Sequence, residues 1–276
     1  MPYVIGFVIA LFIALTGVGA GTITVPTLVL FLGVPAPIAV GIGLMFASAV
    51  KLILVPAQIV RRNIVWRTLG FMLLGGVPGV ILGSLFLKHL VTAGSQNLLS
   101  VILGVILVGT AAWQLFFTIR PLNHHAGRPD RTLLLPWLMF PVGAEVGFSS
   151  AGAGALGSAA LLGLTPLEPA QVVGTDIAFG FVVSLIGSGA HWFSASAQSN
   201  LLWQLIAGGI VGAISGALLS THIPRRPLRI ALWVWLLILG GQFLVNSYKS
   251  PAARPKSVTT HDKIIEWVKP IEIWKK

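Results

Sequence analysis

Hydrophobic residues in this chain come in long runs, and most charged residues fall in the breaks between them. A helix needs roughly 20 apolar residues to cross a bilayer. Six runs fit one span each: 37–60, 68–87, 97–119, 169–193, 201–221 and 228–245. Two further runs, 3–34 and 133–164, are too long for one span and too interrupted for a continuous helix. Small residues cluster midway in both, from Gly17 to Gly21 in the first and from Gly147 to Gly154 in the second. Glycine costs about 1 kcal/mol inside a helix, so each run is expected to form two short helices joined at membrane depth. Such backbone is tolerated only where protein or a wet cavity covers it. The first run lacks a basic leader and continues past Gly33, so it reads as a retained segment and not as a cleaved signal peptide.

The two unusual runs point to an internal repeat. A shift of 133 residues, which carries Gly19 onto Gly152, aligns the two halves without a gap. Gly21 then meets Gly154, Gly41 meets Gly174, and Gly75, Gly76, Gly79 and Gly83 meet Gly208, Gly209, Gly212 and Gly216. Phe46 meets Phe179 and His89 meets His222. Apolar matches alone would mean little in such a chain, but glycines in constant register argue for duplication. The expected organisation is a first repeat over 1–119, a polar linker over 120–132, a second repeat over 133–248 and a charged tail over 249–276. The expected fold is all-α and membrane-embedded, two tandem repeats of helices with broken or re-entrant Gly-rich segments.

Charge in the loops bears on orientation. Arg61, Arg62 and Arg67 mark one loop of the first repeat, while its counterpart, 194–200, is uncharged. The Lys88 loop carries a single lysine, while its counterpart carries Arg225, Arg226 and Arg229. Basic loops stay cytoplasmic, so equivalent loops fall on opposite faces, as in an inverted repeat. Each broken run must then count as zero crossings or two. The tail, with its excess of Lys and Arg, argues the other way; the two loop pairs outweigh it.

Composition agrees with lipid as the main solvent. Of 276 residues 55% are hydrophobic and only 9% charged, against about 25% charged in soluble domains. The net charge of +11 sits in loops and tail, without the basic, aromatic-interleaved face that nucleic acid requires. Cysteine is absent, which excludes disulfides and thiolate metal sites, and the histidines show no metal-ligand spacing. No cofactor is expected. The expected partners are a small anionic substrate and the bilayer, with a homodimer left open.

Polar groups at membrane depth are the candidates for function, because hydrocarbon makes them costly. Lys51 is either a counter-charge for an anion or a residue that snorkels or pairs with a carboxylate. Asp176 is either a coupling group for protons or cations, or an N-terminal helix residue favoured by the helix dipole. Glu145 is a second coupling candidate, or a partner for Lys51. His191 reads as interfacial and Glu168 as a solvated loop residue. The runs Gly75/Gly79/Gly83 and Gly208/Gly212/Gly216 have the spacing of close helix packing. Gly17, Gly19, Ala20, Gly21 and Thr22, with Ser149, Ser150, Gly152, Ala153 and Gly154, are candidate substrate-binding residues. There, unwound backbone would offer N–H groups and helix N-termini to an anion. Trp66, Trp137, Trp192, Trp203 and Trp267 read as interface anchors. No catalytic arrangement stands out, so an intramembrane enzyme, or a scaffold acting through the tail, is the alternative reading.

The string Gly17-Val18-Gly19-Ala20-Gly21-Thr22-Ile23-Thr24-Val25-Pro26 resembles the Gly-rich, Pro-containing signature of the sulfite exporter TauE/SafE family. It recurs, weakened, as Ser150-Ala151-Gly152-Ala153-Gly154. Val173-Gly174-Thr175-Asp176 is similar to that family's Gly-Thr-Ser pattern. The second copy lacks the proline, with Ala159 at the shifted position, and Asp176 stands where serine is more usual. The resemblance implies a secondary transporter in a bacterial inner membrane that exports small sulfur oxyanions, sulfite or organosulfonates such as sulfoacetate. Alternating access would place its site between the repeats, and the resemblance adds Thr175 to the candidate binding residues.

Overall fold

The structure is a computed structural model, and it describes residues 1–16, 19–92, 96–119, 130–151, 154–192, 198–219 and 225–249. Every regular element among them is helical: α1 (Pro2–Thr16), α2 (Ala20–Leu32), α3 (Ala36–Val60), α4 (Trp66–Thr92), α5 (Gln96–Ile119), α6 (Leu135–Ser149), α7 (Ala155–Leu164), α8 (Pro169–Ala190), α9 (Ser199–Leu219) and α10 (Arg225–Lys249). A 3₁₀ turn, Thr132–Leu134, leads into α6. Among the described residues five helices are long and apolar enough to cross a membrane: α3, α4, α6 with its leading turn, α8 and α9. Large apolar side chains such as Leu74, Leu82, Phe86, Leu185, Val211 and Leu218 are exposed on them, as lipid-facing surfaces require. Trp66, Trp137, Trp192 and Trp203 are exposed at helix ends.

Both interrupted runs break into two helices. α1 stops at Thr16, and α2 begins after Gly19, whose backbone is extended (φ −59°, ψ 135°). α6 stops at Ser150, which is left-handed (φ 61°), and α7 begins after Gly154 (φ 117°). The breaks are narrower than the glycine clusters suggest. Gly147 stays inside α6 because it is a packing residue: an added Cβ would lie 2.2 Å from the Val80 carbonyl oxygen on α4. With 13 and 10 residues, α2 and α7 are about 20 and 15 Å long at 1.5 Å per residue, too short for a hydrocarbon layer of about 30 Å.

Contacts fix the helix directions. Along α4, a Cβ added at Gly75, Gly79 or Gly83 would stand 1.9, 2.2 or 2.0 Å from the carbonyl oxygens of Pro136, Phe140 and Ala144 on α6. The order is the same on both helices, so α4 and α6 run parallel, backbone against backbone. Along α9, Gly208 and Gly212 meet the carbonyls of Tyr3 and Phe7 at 1.9 and 2.2 Å, and Gly216 meets that of Leu11 at 2.9 Å, so α9 and α1 also run parallel. Gly76 lies under the Phe179 ring and Gly209 under the Phe46 ring. The α1–α9 contacts are the α4–α6 contacts displaced by the 133-residue shift of the sequence. Each glycine row binds a helix of the other half of the chain.

α3 and α8 cross at the centre and run antiparallel. Leu44 packs on Gly187 at one end, and Asn63 packs on Gly174 at the other. α4 runs parallel to α8, with Gly76 beside Phe179 and Val80 beside Gly187. α7 folds back on α8, where Gly157 faces Asp176, and α2 folds back on α3, where Val25 faces Gly43. Local signals set these two hairpins. Gly33 is left-handed (φ 64°), and the Val34 N–H closes α2 on the Leu28 carbonyl at 3.1 Å, the Schellman end that glycine favours. Pro169 starts α8 behind Glu168, which forms a capping box with Gln171. Because α6 is parallel to α4 and α8 while α7 is antiparallel to α8, the run through α6 and α7 returns to the side it left.

The glycine contacts predict an unusual sign. Gly→Ala normally stabilises a helix by about 1 kcal/mol. Gly79→Ala and Gly212→Ala should instead destabilise by about 1–3 kcal/mol as overpacking forces backbones apart. Gly70→Ala, which meets open space, should not. Thermal melts in detergent separate the two cases.

Candidate substrate site

The two chain breaks face each other. Gly21, in the first turn of α2, packs so closely on the second break that an added Cβ would lie 1.6 Å from the Ser150 carbonyl oxygen. The Ser150 hydroxyl also lies against Gly43 of α3, 3.0 Å from where a Cβ would stand. That Oγ is buried and has no hydrogen-bond partner. The two breaks are closed by matching bonds: the Thr16 hydroxyl donates to the Phe12 carbonyl at 2.6 Å, and Ser149, 133 residues on, donates to the Glu145 carbonyl at 2.9 Å. The Thr22 hydroxyl donates to the Gly19 carbonyl at 2.6 Å, and the Ala151 N–H donates to Ser149 Oγ at 3.2 Å. α2 and α7 thus begin in the protein interior, and the first N–H groups of any helix lack partners within it. Each N-terminus carries roughly half a positive charge from the aligned peptide dipoles. That suits an anion without adding a full charge.

Of the sequence candidates, Gly19, Gly21, Thr22, Ser149, Ser150 and Gly154 lie at these breaks, as does the Ala20 backbone. Gly17, Gly152 and Ala153 lie outside the described residues. Lys51 is 4% exposed and Asp176 2%, so Lys51 does not snorkel. Its charge interacts with Asp176 across the α3–α8 crossing, and not with Glu145 as one reading expected. Asp176 lies two turns inside α8, beyond the reach of the helix dipole, which fades within the first turn. The Ser158 hydroxyl of α7 donates to Asp176 Oδ2 at 2.7 Å. Glu145 is on α6, with Oε1 buried and without a hydrogen-bond partner. Thr175 is fully buried, and its hydroxyl accepts the Val65 N–H at 3.1 Å, pinning the α3–α4 loop to α8.

Three polar residues have partners that their positions along the chain do not signal. Ser158 had no obvious partner until folding brought α7 onto α8, 18 positions along the chain. Ser84 and His191 both reach the Gly147 carbonyl, at 3.3 and 3.2 Å. A carbonyl only accepts, so the His191 Nε2 donates. Near the end of α6 this carbonyl finds no helical partner, since the Ala151 N–H has turned to Ser149, and the two side chains replace it. His191 is therefore buried within the protein, 6% exposed, at the end of α8. Glu168, expected as a loop residue, is exposed and caps α8.

A family model described as Sulfite exporter TauE/SafE matches residues 3–243. The chain belongs to that family. It is also 28% identical over 247 residues to the "Probable membrane transporter protein YjnA" of Bacillus subtilis (strain 168), covering 85% of this chain and 95% of the relative. No solved structure matches it. With its several apolar helices, this TauE/SafE protein is a multi-pass membrane transporter.

The Thr175 contact generates a test of its role. Thr175→Val should strand the Val65 N–H and lower stability by about 1–3 kcal/mol, while Thr175→Ser, which keeps the acceptor, should not. Chemical denaturation in detergent measures both.

Proposed function

We propose that this TauE/SafE protein is a secondary transporter of small sulfur oxyanions, sulfite or an organosulfonate such as sulfoacetate, in a bacterial inner membrane. Export fits the family description. The site lies between two inverted repeats and is reached by alternating access. The anion is held by backbone N–H groups at the starts of α2 and α7, near Gly19–Thr22 and Gly154–Ala155, with the Ser150 hydroxyl beside them.

The observation that carries the reading is the antiparallel crossing of α3 and α8. These two spans correspond under the 133-residue shift. Repeats related by an axis along the membrane normal would make corresponding spans parallel; an axis in the membrane plane makes them antiparallel. The exchanged packing of α4 on α6 and α1 on α9 supports the same symmetry. It also brings both breaks to one place, as a site between repeats requires. A pocket made of dipoles suits a substrate that must leave as readily as it enters.

Two experiments test this. The chain has no native cysteine, so Arg61→Cys and Asn200→Cys, in corresponding loops, can be labelled singly. Inversion predicts labelling from opposite sides of the membrane; labelling from one side contradicts it. For the substrate class, sulfite or sulfoacetate should raise the melting temperature of the purified protein. No shift with sulfite, sulfoacetate or taurine would reject the class.

A further inference from the structure

The two half-sites are chemically unequal. The 133-residue shift places Asp176 opposite Gly43, Lys51 opposite Ser184 and Ser158 opposite Val25. One ionisable pair, with no counterpart in the other half, therefore stands on one side of the site. Both members are sealed from solvent, at 4% and 2% exposure. Ser158 Oγ holds one carboxylate oxygen of Asp176 at 2.7 Å. Gly157 lies against the other, where an added Cβ would stand 2.1 Å away.

This assembly is physically tied to the second break. Ser158 lies in the first turn of α7, its N–H reaching the Gly154 carbonyl at 3.4 Å. An anion at the start of α7 would thus sit about one turn from the Asp176 carboxylate. Like charges that close repel strongly in a low dielectric, and an uncompensated buried charge costs several kcal/mol. Lys51 can neutralise one of the two anions, not both. The titratable groups on α8 and the helices packed on it are Lys51, Arg61 and Arg62 at α3, Arg67, Lys88 and His89 on α4, Glu145 on α6, and Glu168 and His191 at α8; α7 has none. Among them, Lys51 is buried and couples electrostatically to Asp176.

Resting on the transport reading above, we infer that anion binding and protonation of Asp176 are linked: the anion replaces the Asp176 carboxylate as the counter-charge of Lys51. One proton from water enters the Asp176 carboxyl as one anion binds, and both leave together. Ser158 is a positioning residue that fixes the carboxyl, and its oxygen can accept from the protonated form. Such a carrier runs in either direction, with net flux set by the sum of the proton and anion gradients. Glu145 does not take part.

The test uses the full-length protein in detergent and sulfoacetate as the probe, because its charge is constant between about pH 6 and about pH 8. Wild type should take up close to one proton per anion in weakly buffered solution, read with a pH-indicator dye. Its affinity should fall by up to about tenfold per pH unit once Asp176 is ionised. Asp176→Asn should bind without proton uptake and without that slope, whereas Glu145→Gln should keep both. Lys51→Gln should weaken binding at every pH. Binding with no proton uptake by wild type, which needs no variant to fold, overturns the linkage alone. So does a slope that persists in Asp176→Asn or vanishes in Glu145→Gln. No binding at any pH by wild type would instead overturn the transport reading, and the linkage with it.

Discussion

Backbone-to-backbone contact along two rows of glycine is the constraint on which this molecule depends. Helices in lipid gain little from burying apolar side chains, since lipid tails are equally apolar; they associate through close packing. Three glycines on α4 admit the carbonyls of α6, and three on α9 admit those of α1. Each row joins the first half of the chain to the second, so the halves are interlocked, not merely adjacent. A motion that rocked one intact half against the other would have to break both rows. The rows also fix the depth at which α1 and α6 end, and so the place where the chain breaks.

The fold makes the two breaks tolerable. A helix start within a bilayer exposes N–H groups that hydrocarbon cannot satisfy. Here Gly21 and Ser150 press the two breaks together, and protein covers them on the α3 side. Lys51 and Asp176 sit on α3 and α8, the helices that the breaks pack against.

Much of this was legible in the sequence. Glycine register pointed to matched halves, because glycine in a membrane helix has a purpose that Leu and Val at similar positions do not. Gly75, Gly79 and Gly83 read as packing and serve as packing. The two interrupted runs read as broken, and they are broken. What sequence could not supply was the partner of each polar group. His191 looked interfacial from its position near a span end, but the unpaired Gly147 carbonyl draws it inward. Asp176 looked like a dipole-stabilised residue from its place early in the span, but seven positions past Pro169 it lies beyond the first turn, where the dipole acts. Gly147 looked like part of the break, since a glycine that loosens one backbone and a glycine that admits another are spelled alike.

The central claim is that an oxyanion sits where α2 and α7 begin. Selenite, which has the shape and charge of sulfite, carries an atom that anomalous scattering can locate in a crystal. The account predicts a selenium peak between Gly19–Thr22 and Gly154–Ala155. A peak elsewhere in the protein, with that position empty, would contradict it.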